Sequence, residues 1–499
     1  MTAARAFAAC QAPRGGDLGA VDVPLPALRA LVADARGLAE RHHGALARVT
    51  PAYRDSAENF LHYLALRRRD LRPLQQALHE LGLSSLGRCE AAVLASLYAV
   101  ERAGAALAEA PEPALPAPSV SFARGRALLD AHADGLLGPA PPDRQTRVMV
   151  TLNREDITVD RLVTLLEAGM GVLRLNLAKG TEADWVGIAD DLDEARRRTG
   201  RGCRLYCDLA GPNPRTVCPP GKGRRLRVGD RLTLGPRAGD GAIGVTLPEV
   251  LPAVRVGHRV FFDDGRLAAV AVARGDGGAV TLEVTRARKG KARLGDHKGI
   301  NLPDSDLPLP SLTDEDREAL DFVVTRADMV GLSFVREPDD VESLIAALEA
   351  CGRPDLGMVL KIETVPAFRN FPALLLTAMT RPGPVGVMVA RGDMGVELGF
   401  ERTSEVQEEL LWLCEAAHTP LIWATQVLES LTKKGLPTRA EITDAAKGAR
   451  AECVMLNRGA RVEDALTMLV DILGRMEQHQ QKKLQLFREL SVSRGIDLP

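Results

Sequence analysis

Met358-Val-Leu-Lys-Ile-Glu363 sets a lysine and a glutamate into an otherwise apolar run. Two more runs of the same kind follow, Val385-Gly-Val-Met-Val-Ala-Arg-Gly-Asp393 and Leu421-Ile-Trp-Ala-Thr-Gln426, with helical patterns between them. Short, nearly unbroken apolar stretches of β-branched character are what strands buried on both faces of a parallel sheet look like. Charged side chains are rarely buried without a partner or an ion. Polar residues recurring at the C-terminal ends of successive buried strands mark the face where a (β/α)8 barrel carries its chemistry. Lys361 and Glu363 are two apart on a strand and point the same way. Neighbouring strands lie about 5 Å apart, so Glu363 and Asp393, closing adjacent runs, are expected to converge on one cation. Two carboxylates completed by waters and substrate oxygens suit magnesium. A lysine beside that ion is placed to stabilise an anion being transferred or formed. The blander reading is a structural ion pair of Lys361 with Glu363.

Working outward, eight strands can be counted: Val148–Leu152, Val172–Asn176, Arg204–Leu209, Met329–Phe334, Met358–Glu363, Val385–Ala390, Leu421–Gln426 and Cys453–Asn457. Eight is the number that closes a small barrel. Thr313 with Asp316 and Thr438 with Glu441 read as capping pairs opening helices. The connection after the third strand is too long for a barrel loop, and its alternating runs Arg259-Val-Phe-Phe262 and Val280-Thr-Leu-Glu-Val284 read as an inserted β domain. Ahead of the barrel, Leu28, Leu31, Ala35 and Leu38 keep helical spacing, as do Leu71, Leu74, Leu78 and Leu81. Ser56 reads as a helix cap. Pro111, Pro113, Pro116 and Pro118 mark a stiff linker, and a short helix is expected near Ala127. The division read from this is a helical extension over 1–118, barrel over 146–213, inserted β domain over 214–298, barrel again over 299–485, and a tail over 486–499.

At 499 residues the chain has ample core-forming material, and 45% hydrophobic content with a net charge of −2 gives no electrostatic case for nucleic acid or membrane surfaces. No run reaches the length of a membrane span, and the region holding Arg5 and Arg14 lacks the apolar core of a secretory signal. Eight cysteines occur without metal-like spacing, and Cys203 and Cys207 fall on one predicted strand, so reduced thiols and a cytoplasmic location are expected. The basic run Arg67–Arg69 with Arg72 reads as a solvated helix face.

The motifs resemble those of the pyruvate kinase family, in its order. They are Arg174-Leu-Asn176, Asp208 with Gly211-Pro212 and Arg215, Asp263-Asp-Gly265, Lys298-Gly-Ile-Asn-Leu-Pro303, Ser333-Phe334, Lys361-Ile-Glu363, Ala390-Arg-Gly-Asp393, Ala424-Thr-Gln426 and Pro437-Thr-Arg-Ala-Glu441. The resemblance covers roughly 146 to 480 and is to the short, pyruvate-kinase-like branch, with a helical N-terminal extension and no C-terminal regulatory domain. It implies phosphoryl transfer between phosphoenolpyruvate and ADP with Mg or Mn, in a homo-oligomer. In that implied scheme Arg174 grips the transferring group, Glu363 and Asp393 hold the metal, and Lys361 offsets charge on the phosphoryl oxygens. Gly392 and Asp393 bind the carboxylate through their backbone, Thr425 stands on the proton route, and Ser333 and Phe334 line the pocket. Arg215 and Lys298 match positions near the nucleotide, and Asp264 sits in a mobile lid formed by the inserted domain.

The chain departs from the family at Asn153-Arg-Glu-Asp156, Ala178-Lys179, Leu209-Ala210, Asn213-Pro214 and Asn457-Arg-Gly-Ala460. The family's potassium ion is held by residues matching Asn176 and Asp208, a backbone carbonyl near Leu209, and a serine that is Ala178 here. Loss of that hydroxyl implies that potassium is not required, with Lys179, or failing it Arg154 or Arg458, supplying the charge. Two other readings stay open: a metal-dependent lyase or aldolase acting through a pyruvate enolate, and a catalytically weak or inactive regulatory paralogue that binds phosphoenolpyruvate, or a partner through the N-terminal helices.

Overall fold

In a computed structural model that describes residues 22–218, 223–239 and 241–485, eight parallel strands close into a barrel: β1 Arg147–Thr151, β2 Val172–Asn176, β3 Arg204–Asp208, β4 Met329–Leu332, β5 Gly357–Ile362, β6 Val385–Ala390, β7 Leu421–Ala424 and β8 Cys453–Leu456. They follow one another around the barrel in chain order, and β1 pairs with β8 to close it. Both faces of most strands are buried, which is why the runs are apolar throughout. Several strands end earlier than the apolar pattern suggests. Glu363, Ser333 and Thr425 lie just past their strands; at the latter two Phe334, Thr425 and Gln426 turn to positive φ of 53°, 66° and 59° and break the ladder. Asp393 does not close a strand either: β6 stops at Ala390, and Asp393 lies in the first turn of the helix Arg391–Leu398.

Thr313 and Thr438 form the expected capping boxes with Asp316 and Glu441. Asp316 also accepts the backbone N–H groups of Ala210 (2.8 Å) and Gly211 (3.1 Å), tying the loop after β3 to the helix it caps. Between β3 and that helix stands a mainly antiparallel sheet of seven strands from Thr216–Val217 to Ile300–Asn301, with a further pair, Arg224–Arg227 and Lys291–Leu294. It has its own apolar core, including Leu232, Phe262 and Leu282.

The helices Leu25–Arg41, Arg54–Arg67, Arg72–Glu80 and Val93–Leu107 precede the barrel, and the proline-marked segment after them is not helical. The helix around Ala127 is longer than expected, Phe122–Leu137. Ser56 is no cap: it lies inside the first turn of its helix, fully buried, where it meets His418 Nδ1 at 3.0 Å. Cys203 sits one residue before β3 rather than on it, and it is buried and free, as is Cys207. These helices cover the N-terminal end of the barrel. Leu136 and Leu137 join Met149, Val172, Tyr206 and Met329 in one core cluster. Asn59 donates to Ala416 O at 2.8 Å, and Val385 N–H donates to Tyr53 Oη at 2.9 Å. No helix among the described residues is long and apolar enough to cross a membrane. The first 21 residues and the tail 486–499 lie outside the described residues.

Candidate active site

The C-terminal ends of the strands open into a cleft of about 600 Å3. Arg174, Asn176, Asp208, Arg215, Asp264, Lys298, Ser333, Phe334, Lys361, Glu363, Asp393 and Thr425 all line it. Gly392 does not, and its N–H donates to Thr425 Oγ1 at 3.0 Å.

At the base is a buried four-charge cluster. Lys361 Nζ lies 3.1 Å from Glu363 Oε1 and 3.2 Å from Asp208 Oδ1, and donates to Ser333 Oγ at 2.7 Å. Ser333 in turn donates to Leu209 O at 2.6 Å. Arg174 donates through Nε to Asp208 Oδ2 at 3.0 Å, through Nη2 to the same oxygen, and through Nη1 to Thr151 Oγ1 at 3.1 Å. The simple Lys361–Glu363 pair is thus present, but it is half of a larger arrangement in which Asp208 anchors both cations. Burial alone would raise the Asp208 carboxyl, yet Lys361 and Arg174 together outweigh it and hold the group below the usual carboxylate range. Glu363 goes the other way. Burial pushes it up to about 7, and the neighbouring Asp393 charge adds to the rise despite Lys361 and the Phe334 N–H, which donates at 2.7 Å.

Asp393 accepts from Asn301 Nδ2 at 3.3 Å. Asp264, at φ 55° in the Asp263-Asp264-Gly265 turn, is raised by burial and then by Asp393. Glu397, one turn after Asp393, is pushed up to about 8 by burial and Asp393. Acid crowds around Asp393, and Arg174, Lys179, Arg215, Lys298 and Arg458 also line the cleft. Among the described residues no group of three or more His, Cys, Asp or Glu side chains forms a metal cage. Glu363 and Asp393 offer two hard oxygen donors whose mutual repulsion a cation would relieve, which fits a divalent ion that retains waters and substrate oxygens.

Arg391 fixes the end of β7. It donates to Ala424 O at 2.9 Å, to Thr425 O and to Asp444, and its guanidinium lies 4.7 Å from the Trp423 ring centre. That clamp holds Thr425 in its left-handed conformation, one that costs about 1–3 kcal/mol. In the inserted sheet, Lys298 Nζ is 3.1 Å from Asp263 and Arg215 donates to His297 O at 3.3 Å. Asn176 Oδ1 accepts the Ala178 N–H at 3.0 Å.

The sequence assigned no role to Asn301 and Arg391, although both stand inside quoted motifs, and did not single out Thr151, Tyr206 or Glu397. Two carried a usable signal: Tyr206, whose hydroxyl donates to Asp208 Oδ1 at 3.1 Å, is two residues before it on the same strand face, and Glu397 is one helical turn beyond Asp393.

Fold and site together define a (β/α)8-barrel protein in which the Glu363 and Asp393 carboxylates share a cleft at the strand C-termini with cationic side chains. Residues 143–462 match the pyruvate kinase barrel-domain family, and the chain belongs to the pyruvate kinase family. It is 34% identical over 307 residues to a pyruvate kinase of Geobacillus stearothermophilus, covering 61% of this chain and 51% of that one. With a Bacillus licheniformis pyruvate kinase the identity is 30% over 374 residues, 71% of this chain and 61% of the relative. The solved structure of a pyruvate kinase from Cryptosporidium parvum superposes with a TM-score of 0.61 at 28% identity, over 69% of this chain and 72% of that one. The chain thus spans about half to three-fifths of the length of those two curated relatives.

Proposed function

We propose that the protein transfers the phosphoryl group of phosphoenolpyruvate to ADP, giving pyruvate and ATP, with Mg or Mn at Glu363 and Asp393. The observation that carries this reading is the buried Arg174–Asp208–Lys361–Glu363 cluster beside Asp393. Two cations suited to a phosphoryl anion are fixed next to a pair of hard oxygen donors. The metal, when bound, supplies charge neutralisation to substrate oxygens.

Arg174 holds the phosphoryl oxygens with its fixed fork of donors. Lys361, immobilised by Asp208, Glu363 and Ser333, offsets the charge that spreads over those oxygens as the bond to the enol oxygen breaks and the bond to the ADP oxygen forms. The substrate carboxylate takes the Gly392 and Asp393 N–H groups, displacing the Thr425 hydroxyl from the first of these. Thr425 then stands where a proton is delivered to the methylene carbon. Arg215 and Lys298 receive the nucleotide, and Asp264 closes with the inserted sheet to exclude water. A cytoplasmic homo-oligomer is the setting this reading implies.

The test is pyruvate formation by the full chain with and without ADP and Mg, run beside metal-dependent exchange of pyruvate methyl protons without ADP. ADP-dependent pyruvate is the predicted result. Exchange alone would indicate a lyase, and neither activity would indicate a non-catalytic paralogue.

A further inference from the structure

A second cavity, of about 410 Å3, lies at the opposite end of the barrel, next to Thr146 and Arg147 where β1 begins and Ala451 and Glu452 just ahead of β8. Three parts of the chain meet there: the helices Val93–Leu107 and Phe122–Leu137, the barrel base, and Gln480–Lys483. Val100, Leu129 and Leu473 give it an apolar wall, and Phe122, 62% exposed, adds a further aromatic surface.

Glu90, Glu415 and Glu452 interact here with Lys482 and Lys483, and Asp130 and Glu477 also line the cavity. Lys482 pairs with Glu452 and donates to Arg450 O at 2.9 Å. Lys483 pairs with Glu90 and lies 4.3 Å from the Trp412 ring centre. The third carboxylate, Glu415, lines the cavity and forms no hydrogen bond or ion pair through its side chain among the described residues. Burial pushes it up to about 7; Lys482 and Lys483 pull it down while Glu90 and Glu452 push it up. With the two lysines paired to Glu452 and Glu90, Glu415 is left without an ion-pair partner of its own among the described residues. The other cations on the lining are engaged elsewhere or exposed. Arg147 pairs with Asp134 and Arg450 with Glu408. Arg126 acts on Asp130, and Arg88 and Arg126 are both exposed, where water screens them.

We propose that this cavity binds a small amphipathic monocation, an ammonium group on an apolar body, with Glu415 receiving the charge and Val100, Leu129 and Leu473 the body. Nothing in the phosphotransfer reading requires it, so it stands or falls independently.

The test is thermal unfolding of the full chain with cyclohexylamine and with its neutral analogue cyclohexanol. The amine alone should raise the midpoint saturably. Glu415→Gln removes the carboxylate at constant shape, and it should weaken the apparent affinity about tenfold or more, as loss of a charge-assisted hydrogen bond does. Ala99→Phe, at an exposed position lining the cavity, keeps the carboxylate but fills the space, and should also abolish the shift. No shift in the wild type, an equal shift with cyclohexanol, or an amine shift that survives either substitution would overturn the proposal.

Discussion

Lys361 on β5 reaches Asp208 at the end of β3 at 3.2 Å, across the intervening strand β4. The crossing is open because β4 carries Gly331 between them. A Cβ there would lie 2.8 Å from Asp208 Oδ1 and 1.9 Å from Tyr206 Oη. The glycine is thus a requirement of the charge cluster, imposed by closeness rather than by backbone conformation.

Asp208→Asn should leave Lys361 and Arg174 buried with Glu363 as their one remaining carboxylate. Breaking a buried ion pair from one side costs about 3–5 kcal/mol, so the denaturant midpoint should fall steeply. Gly331→Ala should lower it too, by displacing Tyr206 and Asp208. Urea unfolding of both variants is the check. A midpoint unchanged by Asp208→Asn would remove Asp208 from the anchoring role.

The barrel base offers a packing prediction. Leu136 fills a notch between Gly357 and Gly386, where added Cβ atoms would lie 2.9 Å and 2.3 Å from its methyl carbons. Leu136→Ala should cost about 2–5 kcal/mol, and Gly386→Ala should also destabilise. In the double variant the new methyl group occupies space the leucine vacated, so the two losses should not add. Strict additivity in a double-mutant cycle would contradict the notch.

His418 joins the N-terminal helices to the barrel, meeting Ser56 Oγ at 3.0 Å and Ala91 O at 2.8 Å. Burial lowers its pKa from 6.5 to about 4, so it is neutral in the folded protein. The unfolded chain takes up the proton first as pH falls. Its contribution is therefore intact above about 6.5 and lost between 6.5 and 4, amounting to about 3 kcal/mol. Glu363, Glu397 and Glu415, raised by burial, act in the opposite sense. The comparison to make is thus wild type against His418→Gln: stability should fall more steeply over that window in the wild type. Equal slopes would mean His418 titrates normally.

Turnover should not depend on potassium. Ala178 supplies no hydroxyl, and Asp208 is already engaged by Arg174 and Lys361. Of the candidate replacement cations, Arg154 pairs with Asp191 and Arg458 with Glu155. Lys179 lines the cleft without an ion pair among the described residues, its pKa lowered by burial and then by Arg458 and Arg174. Rates in sodium-only and potassium-only buffers of equal ionic strength should match for the wild type, while Lys179→Ala should be slower. Strong stimulation of the wild type by potassium would refute the substitution, and an unaffected Lys179→Ala would reassign the charge.

The barrel was legible because its strands are buried on both faces and read as short apolar runs, as in Met358–Glu363. Strand ends were less so: the left-handed turns at Phe334 and Thr425 leave no mark in hydropathy, and neither residue is a usual αL former. The strand Val385–Ala390 was read to its end, but the helix that carries Asp393 was not, because it opens at Arg391 without a side-chain cap. Asp208 was singled out but as a cation ligand, since its reach to Lys361 depends on Gly331 in another strand. Ser56 misled because a capping residue type also serves as a buried hydrogen-bond partner.

The central claim is phosphoryl transfer by Lys361 and its neighbours, and label transfer tests it most directly. Phosphoenolpyruvate carrying a radiolabelled phosphoryl group is mixed with enzyme, ADP and Mg and quenched at intervals. The label should appear in ATP at the rate pyruvate forms, and Lys361→Met should slow both by about 100-fold or more. Pyruvate formed with the label released as inorganic phosphate, or an unimpaired Lys361→Met, would contradict the account.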